Sequence, residues 1–262
     1  MLKAIARLLL NPRHLLAHRN IFLFSHMRAN TSLFGHILGS HPDIEGYYEM
    51  HIGYYSWKSL WRQKLLYLES HKPKSTSRIY FDKLLHDYCV VAPDIMARPN
   101  TQSIFMMRSP DKTIKSIVGL YQKVDPAHEY ARVDGAVAYY IKRVGELVEI
   151  SNTMPNNYYY LDAEDLIERS TETLDALGNW LGLSQPLAQE YQLFNKTGAP
   201  QAGDPSDLMS TGRINKIQHN YSDIDLPMHF LVDADKAYRS ARNLLAKNSS
   251  NQVVSGQLGM EK

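Results

Sequence analysis

Three polar side chains follow the first apolar run of the sequence and have the chemistry to bind an anion. Residues 21–24 form a run with the length and character of a buried parallel strand. A polar loop follows, and Thr31 and Ser32 begin a segment whose apolar residues have helical spacing. The first N–H groups of a helix have no partner within the helix, and the helix dipole favours negative charge there. Arg28, in the loop, adds a planar guanidinium that suits phosphate or sulfate oxygens.

A second arginine occupies an equivalent position further along the chain. Residues 103–107 form another apolar run, Arg108 follows it directly, and Pro110 is suited to the first position of a helix. An arginine at the end of a strand and a hydroxyl on the next helix, here Ser116, can reach one phosphate together. The alternative is that Arg108 pairs with a carboxylate and that Ser116 is merely exposed.

The surrounding pattern alternates strands with helices. Apolar runs that predict strands lie at residues 21–24, 78–81, 103–107 and 157–161, and helical patterns lie at 52–68, 84–96, 127–150 and 227–245. This alternation predicts an α/β fold with a mainly parallel central sheet and helices on both faces. Ligands of such sheets bind at the carboxyl ends of the strands, where Arg28 and Arg108 are both expected.

The first of these segments resembles the phosphosulfate loop of sulfotransferases that use 3′-phosphoadenosine 5′-phosphosulfate (PAPS). That loop is usually written P-[RK]-S-G-T-T, and residues 27–32 read M-R-A-N-T-S. Arg28, Thr31 and Ser32 match, whereas Ala29 and Asn30 differ; asparagine tolerates the left-handed backbone of a loop glycine better than most residues do. The run G-S-H-P-D-I at 39–44, followed by Glu49, is similar to one in bacterial carbohydrate and tyrosylprotein sulfotransferases. The glycines and lysine of a P-loop nucleoside triphosphatase are missing.

The second segment resembles the 3′-phosphate element of the same enzymes. In that element an apolar strand leads into R-D-P, and a serine lies eight residues after the arginine; here Ser109 replaces the aspartate. The resemblance covers about residues 20–183 and, weakly, a loop at 210–216. It implies a single P-loop-like domain in which the PAPS-binding residues are Arg28, Ala29, Asn30, Thr31, Ser32, Arg108, Ser116 and Arg213.

The resemblance also implies a reaction. A sulfuryl group would pass from PAPS to an acceptor hydroxyl by in-line displacement, leaving PAP, with no metal required. In the resembling families a glutamate at the place of Glu49 is the general base, and Arg28 would stabilise the departing phosphate. His51 is the second candidate for the base, since its pKa suits neutral pH. The alternative for Glu49 is an ordinary surface carboxylate.

Residues near Glu49 indicate the kind of acceptor. Lys83 lies where relatives carry a lysine that contacts sulfate or acceptor, although a solvated lysine is an equal alternative. The aromatic stretch 47–61 includes Tyr48 and Tyr54, which suit stacking on sugar rings or contact with a lipid. These features favour a carbohydrate or glycolipid acceptor. Two other functions remain open, a nucleotide-dependent phosphotransferase and a non-catalytic nucleotide-binding protein.

Composition narrows the class of protein. The chain has 262 residues, 44% of them hydrophobic and 21% charged, which is ordinary for a globular protein. A net charge of +2 gives no general affinity for nucleic acid. Cys89 is the only cysteine, so no internal disulfide forms and a reducing compartment is expected.

The two ends of the chain are predicted to differ from its centre. Residues 1–247 are expected to form one domain, with residues 1–19 as an amphipathic helix packed on it, and residues 248–262 are predicted to be a mobile polar tail. No run reaches the roughly 20 apolar residues that cross a bilayer, and no targeting signal is evident, so a cytoplasmic location is expected. Peripheral contact of the basic N-terminal segment with a membrane surface is the remaining alternative.

Overall fold

In the computed structural model, one parallel sheet runs through the centre of the chain. The structure describes residues 2–154, 157–197, 207–216, 221 and 223–253. Within these residues the strands are β1 (Arg19–Phe24), β2 (Ile44–Glu45), β3 (Ile79–Leu84), β4 (Thr101–Met107), β5 (Tyr158–Asp162) and β6 (Asn251–Val253). Their order across the sheet is β2-β3-β1-β4-β5-β6, and every neighbouring pair is parallel.

Helices connect these strands. They are α1 (Leu2–Leu10), α2 (Thr31–Ser40), α3 (Trp57–Ser70), α4 (Pro93–Met96), α5 (Pro110–Val124), α6 (Val133–Ser151), α7 (Asp165–Glu168), α8 (Ser170–Leu181) and α9 (Met228–Lys247). Short 3₁₀ turns cover Pro12–Leu15, Glu129–Ala131 and Asp207–Thr211. The helix α1 lies against α3, where the Ala4 N–H donates to Glu69 Oε2 at 3.1 Å.

The central strands bury side chains on both faces of the sheet. Phe22, Phe105 and Tyr158 belong to one apolar cluster, together with residues of α5, α6 and α9. Their strand neighbours Leu23 and Ile104 belong to a second cluster with residues of α2 and α8. The alternation follows from the period of two of a strand. The predicted α/β fold, with a mainly parallel sheet and helices on both faces, is therefore confirmed.

Several predicted elements differ from those observed. The helix predicted over residues 1–19 ends at Leu10, and Arg19 already belongs to β1. Only Pro93–Met96 is α-helical within 84–96, because the chain before it forms a loop in which Val91 bridges to Tyr54. The long helix predicted at 127–150 begins only at Val133, after the 3₁₀ turn. The polar tail predicted from residue 248 is wrong at its start, because Asn251–Val253 pair in parallel with β5 as an edge strand. The rest of that tail, 254–262, lies outside the described residues.

A buried ion pair joins the end of β5 to α9. The Arg242 guanidinium donates to both carboxylate oxygens of Asp162, at 3.0 Å from Nε and 2.6 Å from Nη2. The Tyr160 hydroxyl donates to the same carboxylate at 2.8 Å, and both charged side chains are buried. Removing one member of such a pair leaves an uncompensated charge in the interior.

Replacing Arg242 should therefore destabilise the protein far more than replacing an exposed arginine on the same helix. We expect Arg242→Ala to lower the free energy of unfolding by about 3–5 kcal/mol. The matched control is Arg239→Ala, which breaks an exposed pair with Asp235 and should cost less than about 1 kcal/mol. Urea unfolding of both variants measures the difference, and equal losses would contradict the role given to the buried pair.

Candidate active site

The loop between β1 and α2 has the backbone that a close approach to an anion requires. Arg28 and Asn30 both adopt left-handed conformations, with φ of 62° and 57°. Asn30 directly precedes the first residue of α2, and its Nδ2 donates to the Ala163 carbonyl at 2.9 Å. The expectation that this asparagine takes the place of a loop glycine is thus supported by its conformation. Its side chain adds a tether to the end of β5 that glycine lacks.

The structure brings Arg28, Arg108 and Ser116 together. Arg28 Nε donates to Ser116 Oγ at 2.8 Å, and Arg108 Nη1 donates to the Arg28 carbonyl at 3.0 Å. These residues come from the loop after β1, the end of β4 and helix α5, which lie side by side because β1 and β4 are paired. Ser116 is buried, so the alternative that it is merely exposed is wrong.

The remaining residues predicted to bind the nucleotide lie at the start of α2. Ala29 is buried in the cluster that contains α2 and α8, and Thr31 and Ser32 are buried in the first turn of the helix. Ser109, which replaces the aspartate of the resembling motif, is bonded to Glu164. Its N–H and its hydroxyl both donate to Glu164 Oε1, at 2.9 and 2.6 Å, and so join the end of β4 to the segment after β5.

His26 lies beneath both arginine loops. Its Nδ1 is 2.9 Å from the Met27 carbonyl, and the Arg108 N–H donates to its Nε2 at 3.1 Å. These contacts need a neutral ring that donates from Nδ1 and accepts at Nε2. Burial, with smaller contributions from the charges of Arg143 and Arg108, lowers the pKa of His26 to about 4, although the bond to Met27 acts in the opposite direction. His26 is therefore a positioning residue for the two loops.

In the C-terminal part of the chain, the sequence analysis missed one residue that lies at the site and predicted another that lies exposed in a turn. Tyr221 was missed, yet its hydroxyl lies 2.9 Å from Ser116 Oγ, and its ring lies against Gly119 of α5. Arg213 was predicted to bind the nucleotide, and it lies exposed in a turn whose backbone bridges to Glu190. Of the residues between them, 217–220 lie outside the described part of the chain. A role for Arg213 stays a prediction.

Glu49 lies in a cluster of titratable side chains next to the end of β3. Its carboxylate oxygens lie 3.6 Å from His86 Nε2, 3.9 Å from Lys83 Nζ and 3.9 Å from His51 Nδ1. Glu49 and Lys83 are both largely buried, so neither is the ordinary surface side chain of the alternative interpretations. His51 is partly exposed, has a left-handed backbone with φ of 52°, and lies 3.1 Å from the Tyr88 hydroxyl.

His86 and Tyr88 were missed by the sequence analysis. Their rings stack at 5.1 Å with an angle of 6° between them, beside His51 and Glu49. Burial lowers the pKa of His86 in spite of the nearby Glu49 carboxylate. The helical pattern assigned to residues 84–96 gave no indication that this segment forms a loop at the site.

Asp82 holds the chain that carries Glu49. Its buried carboxylate accepts the Met50 N–H at 2.9 Å and the Tyr54 hydroxyl at 2.5 Å. Burial, with a smaller contribution from Glu49, raises the pKa of Asp82 to about 7. The carboxylate therefore fixes the backbone on the C-terminal side of Glu49.

Two tyrosines predicted to contact the acceptor are buried instead. Tyr54 is fully enclosed, because its hydroxyl is bonded to Asp82 and its ring packs on Phe22. Tyr48 packs against Tyr47, and the Lys196 ammonium lies 4.0 Å from its ring centre. Aromatic side chains have much apolar area, and burying that area stabilises the fold more than exposing it would.

Arg143 connects the two halves of the site. It lies on α6 and is buried, and its guanidinium donates to the Ser25 carbonyl at 3.0 Å and to the Leu84 carbonyl at 2.8 Å. Ser25 directly follows β1 and Leu84 is the last residue of β3, so the anion-binding loop and the Glu49 cluster share one support. Among the residues that the structure describes, no group of three or more His, Cys, Asp or Glu side chains is arranged to hold a metal ion.

Known proteins resemble the chain in fold. The sulfotransferase domain from the curacin biosynthetic pathway superposes with a TM-score of 0.58 and 18% identity, covering 86% of this chain and 97% of that one. The sulfotransferase domain of the Synechococcus PCC 7002 olefin synthase superposes with a TM-score of 0.58 and 15% identity, covering 86% of this chain and 94% of that one. Sulfotransferase STF1 from Mycobacterium tuberculosis H37Rv superposes with a TM-score of 0.50 and 13% identity, covering 89% of this chain and 81% of that one. The chain has the sulfotransferase fold. No protein-family model matches it, and no curated protein matches it significantly by sequence.

The neutral His26 at the centre of this sulfotransferase fold should make stability depend on pH. In the unfolded chain His26 binds a proton below about pH 6.5, whereas in the folded chain it does so only near pH 4. The unfolded state therefore binds more protons in this window, and stability falls as pH falls. We therefore compare the free energies of unfolding of the native protein and His26→Gln. The native protein should exceed the variant by about 2–3 kcal/mol more at pH 7 than at pH 4.

Urea unfolding of both proteins between pH 4 and pH 7 measures this difference in free energy of unfolding. Other buried histidines are present in both proteins, so their titration cancels in the comparison. The exposed His229→Gln on α9 is the control and should follow the native protein at every pH. A difference between native protein and His26→Gln that stays constant with pH would show that His26 does not titrate in this way.

Proposed function

We propose that the protein is a PAPS-dependent sulfotransferase that acts on an acceptor hydroxyl. The observation that carries the proposal is the convergence of Arg28, Arg108 and Ser116 at the carboxyl ends of paired strands. One guanidinium bonded to the Ser116 hydroxyl and a second bonded to the backbone of the same loop suit an anion with more than one charge. The sulfotransferase fold supports the choice of a phosphosulfate over other anions.

The donor would lie across the two arginine loops. The backbone N–H groups at the start of α2, with Arg28, Thr31 and Ser32, would hold the 5′-phosphosulfate. Arg108 and Ser116 would hold the 3′-phosphate, and the Tyr221 hydroxyl is close enough to Ser116 to join them. The residues fit the group, because the left-handed backbone at Arg28 and Asn30 shapes a loop at a helix N-terminus.

The donor would supply a sulfuryl group, whose bond to the phosphate oxygen breaks as the acceptor oxygen bonds to sulfur. The Arg28 guanidinium would stabilise the negative charge that develops on the departing phosphate. Glu49 would take the proton of the acceptor hydroxyl, and the Lys83 ammonium lies 3.9 Å from its carboxylate. His51 lies next to Glu49 and is the second candidate for this role.

The acceptor is proposed to be a carbohydrate or a glycolipid. Tyr48 and Tyr54 do not support this choice, because both are buried. The support comes from Tyr88, which is 58% exposed and lies beside His51 and His86 near Glu49. An exposed aromatic ring next to a base suits contact with the apolar face of a sugar ring.

A nucleotide screen tests the donor site. Melting temperature would be measured with PAP, 5′-AMP, ADP and ATP, because a ligand that binds only the folded state raises it. At about 100 times its Kd, PAP should stabilise the protein by about 2.7 kcal/mol, a rise of roughly 5–10 °C for a chain of this size. A rise with ATP and none with PAP would instead support the phosphotransferase alternative.

Variants of the two residues proposed to bind the 3′-phosphate test their roles in the same assay. Arg108→Ala and Ser116→Ala should each weaken PAP at least tenfold while changing 5′-AMP affinity less than about threefold, because only PAP carries the 3′-phosphate. Arg132→Ala removes an exposed arginine and is the matched control. Equal weakening of PAP and 5′-AMP would rule out the role assigned to Arg108 and Ser116.

The role of Glu49 is tested separately from donor binding. Glu49→Gln keeps the size of the side chain and should lower turnover by about 10²–10⁴-fold, since it removes the proton acceptor. PAP affinity should stay within a few fold of native. Glu172→Gln, on the exposed side of α8, is the control and should leave turnover unchanged. If His51→Asn abolishes turnover and Glu49→Gln does not, His51 is the base.

A further inference from the structure

The helix α1 is apolar on the side that faces away from the protein. Ala4 and Leu8 are buried against the rest of the chain, whereas Leu2, Leu9 and Leu10 are 85%, 71% and 79% exposed. At 100° per residue, Ile5, Leu9, Leu2, Ala6 and Leu10 follow one another around one continuous arc of the helix. A helix on the surface of a globular protein normally places polar residues on this arc.

More exposed apolar side chains lie at the end of the same segment. Leu15 and Leu16 follow the helix and are 47% and 67% exposed, and Trp57 at the start of α3 is 56% exposed. These three residues line a common cleft of about 410 Å³. The exposed residues Leu2, Ile5, Leu9, Leu10, Leu15, Leu16 and Trp57 are here called the N-terminal apolar surface. Exposed apolar residues grouped in this way mark an interaction surface.

The charges around the N-terminal apolar surface are positive. Residues 2–20 contain four lysines and arginines and no aspartate or glutamate, although the whole chain has nearly equal numbers of the two kinds. Lys3 and Arg13 are exposed within this segment, and Lys58 and Arg62 are exposed on α3. The nearby Glu69 is bonded to the Ala4 N–H at the start of α1. The partner of this surface should therefore be apolar and negatively charged.

We propose that the N-terminal apolar surface binds the interface of an anionic lipid bilayer. The apolar arc of α1, together with Leu16 and Trp57, would enter the boundary between headgroups and acyl chains. Lys3 and Arg13 would contact lipid phosphates. A tryptophan is suited to this depth, because its ring is apolar and its N–H remains close to water. Among the residues that the structure describes, no helix is long and apolar enough to cross a membrane.

A second copy of the chain fits this surface less well. In a symmetric dimer the same patch of each copy meets its counterpart, so the basic residues around the two patches would approach one another. Like charges at such an interface oppose association, whereas phosphates of a bilayer neutralise them.

Vesicle co-sedimentation of the full chain tests the proposal, with no nucleotide present, so that its result is independent of the proposed sulfotransferase activity. Vesicles of phosphatidylcholine alone would be compared with vesicles that contain 30% phosphatidylglycerol, about one lipid in three. We expect the protein to sediment with the anionic vesicles at least tenfold more tightly than with the neutral ones. Raising the salt concentration should weaken this binding, because the basic residues contribute by charge.

Paired variants separate the apolar from the charged contribution. Leu2→Gln with Leu9→Gln should weaken binding to the anionic vesicles at least tenfold, and Lys3→Glu with Arg13→Glu should remove the preference for anionic lipid. The control is Val232→Gln, another exposed apolar residue (56%) on α9, and this variant should bind as the native protein does. All these side chains are exposed, so each variant should keep the native melting temperature within a few degrees.

Two results would overturn the proposal. One is a native protein that sediments with neither vesicle at millimolar lipid. The other is a dimer, found by analytical ultracentrifugation without lipid, that Leu2→Gln with Leu9→Gln converts to monomer, because the surface would then serve a second copy of the chain.

Discussion

The site depends on a reciprocal clamp between the loops that follow β1 and β4. Each arginine bonds to the segment of the other: Arg108 reaches the Arg28 carbonyl, and Arg28 reaches Ser116 on the helix after Arg108. The clamp holds Arg28 in a left-handed backbone conformation that costs free energy. An anion bound by the two loops would find both guanidiniums already held in place. Such preorganisation reduces the entropy lost on binding.

The acceptor side depends on the same edge of the sheet. Arg143 bonds to the residue that follows β1 and to the last residue of β3, and Asp82 of β3 holds the backbone after Glu49. Glu49 itself is placed by a loop, but that loop is tied to a strand next to the anion-binding one. The position of the base relative to the donor loop thus follows from the pairing of two strands, which is rigid, rather than from the loop alone.

Sequence patterns could predict the parts of the protein that follow from short-range physics. Long apolar runs identified the central strands, and the rule that ligands bind at the carboxyl ends of parallel strands placed Arg28, Arg108 and Ser116 together. Tyr48 and Tyr54 were misplaced because an aromatic side chain near a site suits packing and binding equally well. His86, Tyr88 and Tyr221 reach the site through loops that have no periodicity, so only the folded chain shows their positions.

The two strands that the sequence analysis missed, β2 and β6, are the edges of the sheet, and their shortness has a consequence for behaviour at high concentration. An edge strand offers unpaired backbone groups on which another chain can add a strand. Within the described part of the chain, which ends at Val253, these edge strands have two and three residues. On the β2 side, Lys74 Nζ also donates to the Ile44 carbonyl at 2.6 Å and so occupies one acceptor of that edge. These edges therefore offer few backbone groups on which another chain could add a strand. Their shortness protects the protein against aggregation through its sheet edges.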